Sequence, residues 1–194
     1  LHGYFCIFSP GAEPIVYPKD RGKLLKRGQK LLFQIHYTAI GKEVWDRPSI
    51  GFKFHKEKPK YSILCNAAST KEIHIKPHVS NHKVVAEYTI DSNARIFGYT
   101  PHMHARGSKF AIDLIFPNGK EQRVLWVPSF NFNWQQSYRL KNPFNVEAGT
   151  KVRATGWFDN SEDNMANPDP AQDVYFGLQT IDEMMIGYFE WMKL

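Results

Sequence analysis

The stretch GYTPHMHARG, Gly98 to Gly107, sets His102 and His104 one residue apart. In a β-strand, residues i and i+2 share a face, so both imidazoles would aim at one point, with Gly98 and Thr100 beside them. Two convergent imidazoles are half a metal site, and zinc, copper, nickel and iron all accept imidazole. The plainer reading is two part-exposed histidines on a strand surface. A third ligand would decide between metals. His78 or His82 would point to zinc with an open position. A methionine would point to copper, because a thioether suits Cu(I) and offers little to zinc. The segment IDEMMIGYFEWM carries Met184 and Met185, which alternation places on opposite faces, so one can fill a core while the other faces a site.

Short β-rich runs punctuated by Gly, Pro and Asn fill the chain, and no long amphipathic helix pattern occurs. The alternation predicts strands at 30–41, 50–55, 83–91, 95–104, 109–116, 121–127, 132–140, 151–159 and 179–191. Pro117-Asn118-Gly119 reads as a hairpin turn. DNSEDNMANPDP, Asp159 to Pro170, reads as a rigid loop whose Asn and Asp side chains bond its own backbone. It has acidic residues but no EF-hand spacing. About nine strands with short turns imply an all-β fold, a β-sandwich or jelly roll.

Hydrophobic residues make up 42% of the 194, enough for a buried core. No apolar run approaches the roughly 18 residues that a membrane span needs. The chain opens on Leu1-His2-Gly3, which reads as processed or cut from something longer. The net charge of +6 is uneven. Residues 1–75 hold thirteen Lys/Arg against six Asp/Glu, and residues 76–194 hold twelve against thirteen. A boundary is placed where this excess ends, giving segments 1–75 and 76–194. The basic cluster from Pro18 to Lys30 lacks the interleaved aromatics of a single-strand binder, so no nucleic-acid partner is expected. Cys6 and Cys65 could form one disulfide or remain free thiols. His55, His74, His78 and His82 read as surface histidines, Arg106 as a surface charge and Trp134 as a core aromatic.

HMHARG, DNSEDNMANPDP and QTIDEMMIGYFEW, in that order, resemble the C-terminal domain of the copper type II, ascorbate-dependent monooxygenases. That family includes the peptidylglycine α-hydroxylating and dopamine β-monooxygenases, and the chain looks most like its bacterial members. Upstream, GQKLLFQIHYTAIGKEVWDRPSIGFKF resembles the end of the family's N-terminal copper domain. The resemblance implies two jelly-roll β-sandwich domains, with residues 1–75 the tail of an electron-transfer domain and 76–194 the catalytic one. It implies a catalytic copper on His102, His104 and Met184. It matches His36 to the last of three histidines on a second, electron-relaying copper. The family's neighbouring histidine pair is absent here, so the second site is expected to be incomplete, or completed by a missing segment or another chain. Tyr188 matches a tyrosine lining the substrate cleft. Thr100 and Ile186 stand where the peptide-amidating enzyme has an arginine and an asparagine, which argues against a glycine-extended peptide.

The implied function is hydroxylation of a C–H bond in a small organic substrate. It would use O2, copper, and ascorbate or another one-electron donor, in a periplasmic or secreted setting. Two alternatives stand beside it: a non-catalytic copper-binding module, and a structural subunit of a larger complex that kept the fold.

Overall fold

The computed structural model describes residues 4–9, 12–37 and 40–194. Twelve strands form in chain order: β1 (Arg21–Gly22), β2 (Tyr61–Ser62), β3 (Leu64–Ser69), β4 (His74–Ile75), β5 (His82–Thr89), β6 (Ala94–Met103), β7 (Gly107–Ile115), β8 (Glu121–Val127), β9 (Tyr138–Val146), β10 (Lys151–Phe158), β11 (Val174–Tyr175) and β12 (Met185–Lys193). No helix occurs among the described residues, so none is long and apolar enough to cross a membrane.

Two four-stranded antiparallel sheets, ordered β5-β10-β7-β8 and β3-β12-β6-β9, face each other across one core. Period-2 alternation explains which side chains meet there. Phe110, Ile112 and Leu114 of β7 point inward from the first sheet, and Met185, Phe189 and Trp191 of β12 from the second. The sheets approach closely at Gly187, where an added Cβ would lie 2.7 Å from the Ala154 methyl. The Asn-Gly turn forms as expected, with Gly119 at φ +82° and Asn118 Oδ1 accepting from the Lys120 N–H at 3.0 Å.

Residues 4–9 and 12–23 lie against the outer face of the second sheet as a strap. Tyr4 meets Tyr188 edge-on at 4.6 Å, Tyr17 Oη donates to Glu190 at 2.6 Å, and Lys23 pairs with Glu190 at 2.8 Å. Arg21 lies over the Phe97 ring, and β1 pairs in parallel with β2.

Several expectations change. The described residues of 30–41, and residues 50–55, form no strand. Their apolar side chains alternate, but among the described residues no strand pairs with them, and Leu32, Phe33, Tyr37 and Phe54 stand exposed. Thr38 and Ala39 of the first run, and the Leu1-His2-Gly3 start, lie outside the described residues. The run expected at 132–140 begins instead at Tyr138, because residues 131–136 form a turn-rich loop. β3 pairs with β12 through six residues, so the sandwich takes in chain upstream of residue 75. Cys6 is an exposed free thiol and Cys65 a buried one.

Candidate metal centre

The His-x-His pair ends β6, on the outer face of the strapped sheet. Register fixes its neighbours: Met185 lies opposite Met103 and Ile186 opposite His102. Met103 and Met185 face the core and are fully buried. The ladder ends at Met185 and Met103, and continuing its antiparallel alternation one step puts Met184 across from His104, on the outer side. Alternation therefore gives the two adjacent methionines different surroundings, and Met184 is the one on the histidine side. It is 8% exposed.

The two imidazoles stand 5.2 Å apart, centroid to centroid, at 82°. Each has one nitrogen occupied. The Asp182 carbonyl, which can only accept, lies 3.0 Å from His104 Nδ1, so that nitrogen carries the proton. Gln135 Oε1 lies 2.8 Å from His102 Nδ1, and Gln135 Nε2 donates to the Phe132 carbonyl at 2.8 Å. Facing an acceptor, His102 Nδ1 must donate. Both rings, when neutral, thus carry their lone pair on Nε2.

Electrostatics keep them neutral. Burial pushes His102 down to about 4, the Gln135 bond opposes, and His104 and His36 add to the depression. Burial also lowers His104, against the Asp182 and Gln179 carbonyls, and His36 again adds. His36 itself is exposed on an irregular segment.

A buried carboxylate ties the two sides together. Glu183, fully buried, accepts the His104 N–H through Oε2 at 2.9 Å and the Arg106 N–H through Oε1 at 2.7 Å. Burial raises it to about 8, while backbone donors from Arg106, His104 and Met184 and the Arg106 charge pull it back. One side chain thereby fixes the backbone after the first histidine to the residue beside Met184.

Arg106 is 2% exposed, not a surface charge. Its Nε donates to Asn160 Oδ1 at 2.8 Å and its Nη1 to the Ile181 carbonyl at 2.7 Å. Asn160 Nδ2 reaches the Lys76 and Gln172 carbonyls, each at 3.0 Å. The loop from Asp159 to Pro170 bonds its own backbone as expected, through Asp159 to the Ser161 N–H, Asn164 to Ala166 and Asn167 to Asp169. HMHARG sets Arg106 two residues after the pair, where the sequence favoured a surface charge. Trp134, expected in the core, is 59% exposed.

The other candidates sit apart from the pair. Tyr188 pairs with Thr100, two positions along from His102, beneath Tyr4. His74 bonds Asp173, His78 bonds Glu162, and His82 starts β5 in the opposite sheet. Among the described residues no three His, Cys, Asp or Glu side chains gather to hold a metal, so neither His78 nor His82 completes a zinc site with the pair. Glu183 and Gln135 were not found from sequence; a lone Glu or Gln carries no spacing signal.

The family model described as copper type II ascorbate-dependent monooxygenase, C-terminal domain, matches residues 60–193. The chain belongs to this family. The match takes in β3, which the sandwich also includes, and all of β4 to β12. No curated protein matches the copper monooxygenase domain in sequence. Among solved structures it is similar to two from infectious bursal disease virus. One, of the Gt strain, is 9% identical, covers 75% of this chain and 36% of that one, and has a TM-score of 0.34. The other, the VP2 subviral particle, is 11% identical, covers 76% and 45%, and has a TM-score of 0.29. The domain thus spans less than half the length of the viral chains.

Proposed function

We propose that this domain holds one copper ion on His102, His104 and Met184 and uses it to hydroxylate a C–H bond of a small organic substrate. The observation that carries the reading is the pair of imidazoles with both Nδ1 atoms engaged, and a thioether one step beyond the end of the β6–β12 ladder, on the histidine side by alternation. Two lone pairs and a soft sulfur suit Cu(I), and neutral rings bind it without first losing a proton. Bound there, copper would supply dioxygen binding and one-electron chemistry, with electrons from ascorbate or a similar donor.

The residues do the positioning. Asp182 and Gln135 keep the imidazole protons on Nδ1. Glu183 holds the His104 and Met184 segments in register. Thr100 and Ile186, which flank His102, carry no charge, and this supports a substrate without an anionic group beside the metal. Tyr188 lines the same face. His36 belongs to a second copper in this reading, completed by residues beyond those described. An extracytoplasmic location, periplasmic or secreted, is part of the same proposal.

Copper stoichiometry and X-ray absorption on the ascorbate-reduced protein test it. One copper per chain in a nitrogen-and-sulfur shell is expected, with reductant-dependent O2 consumption. No copper after loading would overturn the reading. Met184→Ile should lose the sulfur scatterer, weaken Cu(I) binding and abolish turnover while the fold persists. Full Cu(I) affinity and full turnover in that variant would remove Met184 from the ligand set.

A further inference from the structure

We propose that Gln135 is a positioning residue that locks His102 in the tautomer presenting Nε2 to the metal. The inference rests on the copper reading above for its purpose, but its geometry stands separately. Gln135 is 8% exposed, and both ends of its amide are spent. Nε2 donates to the Phe132 carbonyl at 2.8 Å, which forces Oε1 toward His102 Nδ1, also at 2.8 Å. A flipped amide would set its oxygen against the Phe132 carbonyl, acceptor against acceptor, so the orientation is determined.

The loop that carries Gln135 is prefolded. Asn131 Oδ1 accepts the Asn133 N–H at 2.9 Å, and the Asn131 carbonyl accepts the Trp134 N–H at 3.0 Å. Ser9 Oγ of the strap donates to the Gln135 carbonyl at 2.6 Å. The same loop sets the Phe132 ring edge-on to His104 at 6.0 Å. One short segment thus orients both imidazoles, one by a hydrogen bond and one by a ring contact. Without the amide oxygen, His102 would lose the partner that keeps its proton on Nδ1, and the ring would be free to shift that proton or turn. Partners of this kind orient metal-binding imidazoles, and their removal typically costs about ten- to a hundred-fold in metal affinity.

The test reads the tautomer first, without metal. Long-range 15N–1H NMR on the metal-free wild type near neutral pH should show His102 protonated on Nδ1. Gln135→Leu should give a mixture of tautomers and a Cu(I) affinity, by competition with a chromogenic chelator, about ten- to a hundred-fold weaker. Gln135→Glu, which keeps an acceptor, should keep both properties. A wild type protonated on Nε2 at His102 overturns the proposal with no variant needed, even if Gln135→Leu fails to fold. A folded Gln135→Leu with unchanged tautomer and affinity also overturns it. A wild type with the expected tautomer but no copper sinks the copper reading instead, and a copper-binding wild type with the other tautomer sinks only this one.

Discussion

The two outer faces of the sandwich solve opposite problems. On the β5-β10-β7-β8 face, charges satisfy one another across strands: Lys151 with Glu87 at 2.9 Å, Arg123 with Asp113 at 2.9 Å, and Arg153 with Glu121. These heads are paired with one another there. On the β3-β12-β6-β9 face, the strap and two loops supply the partners, and each imidazole is held through its Nδ1. A self-paired surface is finished. A surface whose polar groups are half-used, and held from behind, is prepared for something else.

The contrast can be broken or sharpened by experiment. The largest effect is expected behind the histidines. Arg106→Met should cost about 3 kcal/mol in urea unfolding, because it strips the buried Asn160 amide oxygen and the part-buried Ile181 carbonyl of a charged donor. A cost near that of a surface mutation would show that the buried network is not what holds this side. Acid should act next. His102 stays neutral in the fold down to about 4, while the unfolded chain takes up a proton below 6.5, so this group makes stability fall as pH drops from about 6.5 to 4. Glu183 runs the other way: its fold-raised value of about 8 favours the folded state as pH falls toward the ordinary 4.5. Comparing pH–stability curves of the wild type and His102→Asn separates them: the variant should gain stability relative to the wild type as pH falls from 6.5 to 4, because Glu183 then acts unopposed, and a difference that does not change with pH there would refute the depressed histidine. The smallest effect belongs to the finished face. Lys151→Gln should change stability by roughly 0.5 kcal/mol or less, and salt should erase the difference. A salt-insensitive loss of several times that size would mean the ladder is structural after all.

How far the sequence could be read follows the same division. Strands between residues 82 and 158 were legible because each has one face in the core, and burial enforces alternation. The alternating run at 30–37 was indistinguishable in pattern, but pairing needs a partner strand, which a local pattern does not report. β3, Leu64–Ser69, went unread because LCNAAS is mostly small and polar, and its place is set by β12 rather than by its own propensity. Spacing singled out the histidine pair and the resemblance singled out Met184, both as candidates. Gln135, Glu183 and Arg106 were not legible, since their roles arise from contacts across 33, 79 and 54 residues of chain.

The alternation along β6 and β12 also has an oxidative consequence. Met103 and Met185 sit one residue away from the candidate ligands, yet on the inward side and fully buried. They crowd Gly156 so closely that an added methyl there would lie 2.8 Å from each. Oxidation of either sulfur would add a polar oxygen to that close packing. If the proposed copper reading holds, an oxidant formed on the outer face has the backbone of β6 and β12 between it and these two sulfurs, so the pleat that turns Met184 toward the histidines also shelters Met103 and Met185.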